Sequence, residues 1–119
     1  MARYVDGYVL PVPKKGLAKY RKLAAMGKKM WLKNGALEYF ECVSEDTKTP
    51  CGLSFPKAIR SKAGETVVFS FIVYKSRAHR DRVNAKVMKD LSKIDFDPST
   101  MPFDMKRMIY GGFSVMVEG

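Results

Sequence analysis

An α+β fold built in the order β-α-β-β-α-β is predicted for this chain by three observations. Alternating apolar residues at both ends and in the middle mark strands. Two longer stretches repeat their apolar residues every three or four positions, as helices do. The total of 119 residues, 46% of them hydrophobic, suits one domain with one core.

Arg3 to Val12 reads as the first strand, with Tyr4, Asp6, Tyr8 and Leu10 on one face and Val5, Gly7 and Val9 on the other. Pro11 and Pro13 are expected to end it, since proline donates nothing to a ladder. Gly7 suggests a bulge or a close approach. Lys14 to Lys33 reads as a helix whose inner side carries Tyr20, Leu23, Ala24, Gly27, Met30 and Trp31. Asn34-Gly35 stops it, because both residues tolerate a left-handed backbone. Ala36 to Ser44 reads as the second strand. A polar loop runs from Glu45 to Gly52, Leu53 to Arg60 is long enough for a short helical turn, and residues 61–64 form a turn. Glu65 to Tyr74 is apolar on both faces, Val67, Phe69, Phe71 and Val73 against Val68, Ser70, Ile72 and Tyr74, and is expected at the centre of the sheet. Ser76 is the expected N-cap of a second long helix ending at Leu91, with Val83, Val87, Met88 and Leu91 inward and Asn84 beside them. Lys106 to Val117 reads as the last strand, where Gly111-Gly112 suggests a bulge.

This order is the split βαβ pattern of ferredoxin-like folds, a four-stranded antiparallel sheet with both long helices on one face. The other face then lies bare and apolar, and a second copy of the chain is its expected cover.

Tyr4-Val5-Asp6-Gly7-Tyr8, Val67-Val68-Phe69-Ser70-Phe71, Arg80-Asp81 with Asn84, and the run from Met101-Pro102-Phe103-Asp104 through Tyr110-Gly111-Gly112-Phe113 together resemble the bacterial YbaA-like family, domain of unknown function 1428. The resemblance covers nearly the whole chain. It implies an architecture, the dimeric α+β barrel, in which two ferredoxin-like sheets pack face to face. Similar barrels include antibiotic-biosynthesis monooxygenases, haem-degrading enzymes, small lyases and isomerases, and ligand-sensing modules. A cofactor-free or haem-linked monooxygenase is therefore one reading by analogy. The chain departs from the family in its heavy positive charge and its Thr49-Pro50-Cys51-Gly52 loop.

Composition narrows the functions. Two cysteines, Cys42 and Cys51, and one histidine, His79, fall short of a closed zinc site. No phosphate-binding glycine loop is present, and no cofactor is expected. No apolar run approaches the ~20 residues that span a bilayer, and no secretory leader is visible, so a cytoplasmic setting with reduced thiols is expected. The net charge of +10 raises a nucleic-acid reading. Its carriers, Lys15, Lys19, Lys22, Lys29 and Lys33 on one helix and Arg77, Arg80, Arg82, Lys86 and Lys89 on the other, instead suit solvated faces.

A small organic ligand held by the homodimer is the leading reading, with the monooxygenase and the nucleic-acid-binding protein as its alternatives. Asp6 within a strand is costly to bury unpaired. Lys106 and Arg107, opening the neighbouring strand, are its expected partners, and Asp6 is either half of a structural ion pair or a general base. Asn84 on an apolar stripe is either a local backbone partner or a polar anchor for ligand. Trp31, Met30, Tyr39, Tyr74 and Tyr110 belong to a pocket lining or to plain core. The candidate ligand contacts are thus Asp6, Asn84, Tyr74, Tyr110 and Arg107, and no catalytic residue is assigned.

Overall fold

A computed structural model describes residues 2–95 and 97–119. Strands β1 (Tyr4–Pro13), β2 (Glu38–Val43), β3 (Glu65–Tyr74) and β4 (Ile109–Ser114) form one sheet in the order β2-β3-β1-β4, every neighbouring pair antiparallel. Helices α1 (Leu17–Lys33) and α3 (Arg77–Leu91) cover one face, and the short α2 (Phe55–Ala58) lies at the other. This is the ferredoxin-like arrangement, with β3 and β1 at the centre.

Alternation sorts the side chains. Leu10 and Val12 of β1 pack with Val68 of β3 and Tyr20 of α1, while Ile72 and Tyr74 pack with Val83 and Val87 of α3. Each fully buried aliphatic residue of this layer contributes roughly 1.5–3 kcal/mol. Met88, expected on the same stripe, is instead exposed, because it sits one position beyond Val87 on the helix. Ser76 caps α3, its Oγ accepting the His79 N–H at 3.2 Å. Asn34 caps α1, and Gly35 follows at φ 112°, a conformation that favours glycine.

Pro11 does not end β1, which runs on to Pro13. Lys14 donates its N–H to Gly64 O on the β3 side at 2.8 Å. By alternation, the positions of Pro11 and Pro13 face the β4 side, where pairing with β4 has already stopped at Val9–Ile109. A proline there removes no bond. The glycines make no bulge either: Gly7 pairs with Phe71 and Gly111, and Asp6 with Gly112, in unbroken register. They make room for rings. The Phe113 ring lies 3.6 Å from where a Gly7 Cβ would stand, and the Tyr4 ring occupies the space a Gly112 side chain would need.

The last strand starts later than the sequence suggests. Met105–Arg107 forms a 3-10 turn capped by Asp104, whose carboxylate accepts the Lys106 N–H at 3.0 Å. Arg107 is therefore outside the ladder. On the bare face of the sheet, Phe40, Phe69, Ile109 and Phe113 are exposed, while Ile59 just after α2 buries Val9 and Val67 at one end.

Candidate functional site

Two polar arrangements lie between the helices and the sheet, joined by Trp31. The first is centred on Asp6. Its place in the middle of β1 on the helix-facing side leaves it 4% exposed. Arg80, in the first turn of α3, reaches down to it at 2.6 Å and lies over the Tyr4 ring, 4.9 Å from the centroid. Asp81 accepts from Arg80 Nε at 2.8 Å. Asn84, one turn on, takes hydrogen bonds on Oδ1 from Trp31 Nε1 at 3.1 Å and from the Tyr74 hydroxyl at 3.2 Å, with its Nδ2 3.5 Å from Asp6 Oδ2. Burial and the nearby Asp6 charge push the Tyr74 hydroxyl well above its ordinary range, so it stays protonated and donates.

Asp6, Asn84 and Tyr74 thus come together. The partner of Asp6 is Arg80 rather than Lys106 or Arg107. Asp6 lies opposite Gly112, about five residues past Arg107, roughly 17 Å along an extended strand. Arg107 instead grips Glu65 with both terminal nitrogens, at 2.8 and 2.7 Å, and donates from Nε to Asp104 at 3.0 Å. Tyr110 is 71% exposed and stacks on Tyr8 with ring centroids 5.9 Å apart.

The second arrangement went unread in the sequence. Glu41 of β2 accepts the Tyr20 hydroxyl on Oε1 and the Tyr39 hydroxyl on Oε2, each at 2.7 Å. Alternation puts Tyr39 and Glu41 on the helix-facing side, opposite Ile72 and Ser70. Tyr20 meets them from α1. Gly27 on the same helix lets Tyr39 tuck under, since a Cβ there would stand 2.8 Å from the Tyr39 hydroxyl. Burial, and then the bond to Glu41, raises both hydroxyls well above their usual range. The signal was available: a glutamate two residues from a tyrosine, on the face that the strand period buries.

Glu41 and its two tyrosines stand between two hollows. An outer groove of about 490 Å³ runs between α1 and the β2 edge, bordered by Leu17, Arg21, Lys28 and Val43. An inner cavity of about 350 Å³ lies between α1 and the sheet. Its walls are aromatic and sulfur-rich, with Tyr8, Trp31, Met30, Met108 and Phe103 among them, beside Leu91. Glu41 and Ser70 supply polar atoms. Tyr8, its hydroxyl pushed up to about 12 by burial first and Asp6 second, is a neutral donor there. Of the residues named from sequence, Trp31, Met30 and Tyr39 line this cavity. Asp6, Asn84, Tyr74, Tyr110 and Arg107 do not, although Asn84 accepts a bond from Trp31 in its wall.

A lining of this kind binds organic molecules by apolar contact and orients them by a few polar groups. Among the described residues, no group of three or more His, Cys, Asp or Glu is placed to hold a metal ion. His79 accepts the Lys75 N–H on Nδ1 at 2.9 Å and lies outside the cavity lining, so it presents no axial ligand to a haem there. Burial, with Lys75 and Arg82 nearby, lowers its pKa and favours the neutral ring. Cys42 and Cys51 are exposed free thiols. Among the described residues no helix is long and apolar enough to cross a membrane.

Comparison with known proteins gives the family and the fold. The sequence profile described as "Protein of unknown function (DUF1428)" matches residues 3–105. The chain belongs to the DUF1428 family. Its relatives include the uncharacterised protein YbaA of Escherichia coli K12, 40% identical over 116 residues and 98% of each chain, and YbaA of Shigella flexneri, similar to the same extent. Among solved structures, a dimeric ferredoxin-like protein from an uncultured marine organism aligns over 100% of both chains with a TM-score of 0.61 at 12% identity. A Bacillus cereus protein, whose proposed role is that of an antibiotic biosynthesis monooxygenase, aligns over 100% of this chain and 98% of its own, with a TM-score of 0.52 at 9% identity. Both likenesses concern the fold.

Proposed function

We propose that this DUF1428 protein is a small-molecule-binding domain that works as a homodimer, with its ligand in the cavity between α1 and the sheet. The observation that carries this reading is the cavity itself. At about 350 Å³ it falls in the size range of organic-ligand sites. Its lining is apolar and aromatic, with a hydrogen-bonded carboxylate at one point. The homodimer rests on the bare sheet face, where Phe40, Phe69, Ile109 and Phe113 lie exposed on adjacent strands. A second copy of the sheet offers a matching surface. The structural neighbour described as dimeric supports the same arrangement. The monooxygenase role proposed for the other neighbour is not carried over, since the likeness at 9% identity concerns fold alone.

Trp31 is the only tryptophan and lines the cavity, so its fluorescence reports occupancy. Titration with indole-free neutral aromatics such as benzyl alcohol is expected to change Trp31 emission saturably. Ala24→Phe, which fills the wall shared by groove and cavity, is expected to abolish that change while the far-ultraviolet circular dichroism stays the same. A response that never saturates, or one that survives in a folded Ala24→Phe protein, refutes the cavity as the site.

A further inference from the structure

We infer that the ligand of this cavity is a hydrophobic cationic amine, its ammonium seated on Glu41 within the cage of Tyr8, Tyr20, Trp31 and Tyr39. The inference rests on the reading of the cavity as a ligand site and adds the chemistry of what it holds.

The argument begins with charge. Among the described residues, every other partly or fully buried carboxylate has a cation within 4.0 Å. Asp6 has Arg80, Glu65 and Asp104 share Arg107, and Asp90 has Lys33. Glu41 has only two neutral hydroxyls, and no lysine or arginine nitrogen among the described residues comes within that distance. A carboxylate drawn into apolar surroundings is costly without a countercharge. In a chain of 22 basic and 12 acidic residues, cations are plentiful, yet none is spent here.

Hydrogen-bond accounting points the same way. Each Glu41 oxygen takes one tyrosine proton and keeps further acceptor capacity. The tyrosine oxygens, having donated, are acceptors toward the cavity. An ammonium offers three donors and finds acceptors on all sides. The walls favour it as well: tyrosine and tryptophan faces attract a cation through the ring quadrupole. Methionine side chains supply adaptable apolar contact for the rest of the molecule. An anion would be drawn by the net charge of +10, but it would enter a cavity that presents Glu41 and no lysine or arginine in its lining. The basic residues that come near, Arg21 and Lys28, border the outer groove.

Three probes of matched shape decide the matter: 2-phenylethylamine, 2-phenylethanol and 3-phenylpropionate, each titrated against Trp31 emission in wild type and in Glu41→Gln. The amine is expected to bind about tenfold more tightly than the alcohol, equivalent to about 1.4 kcal/mol, and the acid more weakly than either. Glu41→Gln keeps the shape of the side chain and is expected to erase the amine's advantage while leaving alcohol binding in place. Equal or tighter binding of the alcohol in wild type overturns the amine inference and leaves the cavity as a ligand site. So does an amine advantage undiminished in Glu41→Gln. If none of the three changes Trp31 emission saturably, both the inference and the cavity reading fall together.

Discussion

Arg80 is the residue on which the interior polar network turns. It neutralises a carboxylate that is 4% exposed, and its own side chain is only 19% exposed. Removing one partner of such a pair leaves a buried charge, so Arg80→Ala is expected to lose about 3 kcal/mol in chemical denaturation, more than a surface arginine would. That Asp6 needs a partner is legible in the sequence, because it falls on the inward face of a strand. That the partner is Arg80 is not, since Arg80 reads as one more member of a basic helix face until the fold brings the first turn of α3 within reach of Asp6. The other buried arginine sets an acid-side dependence. Its bonds to Glu65 hold that carboxyl down at about 2, against an ordinary value of 4.5. The unfolded chain therefore binds the extra proton first, and stability from this pair is present above about pH 4.5 and lost as the pH falls toward 2. Glu65→Gln is expected to flatten that part of the stability–pH curve measured by urea unfolding. An unchanged curve would mean the pair contributes nothing.

Among the elements, the central strand and the second long helix were readable to the residue. Glu65–Tyr74 is apolar on both faces, and Arg77–Leu91 has its cap serine in place. The ends of β1 and β4 were not, for reasons of neighbours rather than propensity. Prolines at 11 and 13 are harmless only because β4 has already ended beside them, and Asp104 turns the chain just before the last strand. Glu41 is hard to single out in the sequence because a strand as short as Glu38–Val43 does not itself show which of its faces the helices cover. Gly27 shows how α1 and β2 are fitted. Alanine in a helix is ordinarily favoured over glycine by about 1 kcal/mol. At this position its Cβ would displace the Tyr39 hydroxyl from Glu41, a charge-assisted bond worth roughly 1.5–3 kcal/mol. Gly27→Ala is thus expected to lower stability by about 1 kcal/mol. An increase would show that the bond adds little.

At the scale of the whole molecule, one face of the sheet is sealed by helices and the other carries aromatic side chains that α2 covers only at one end. Among the described residues, Phe113, 63% exposed over Gly7, is the most exposed phenylalanine on that bare surface. Phe113→Asp is expected to yield a folded monomer in sedimentation velocity, with unchanged circular dichroism. A folded dimer would place the contact elsewhere. The bare face was legible from the element order alone. The inner cavity was not, because it depends on how far α1 stands off the sheet, which side-chain volumes decide together. The proposal that this is a ligand-binding homodimer meets its most direct test in native mass spectrometry of gently purified protein, before and after denaturation. The predicted result is a species of about twice 13.5 kDa with added mass that leaves on denaturation. A monomer at the mass of the bare chain would contradict it.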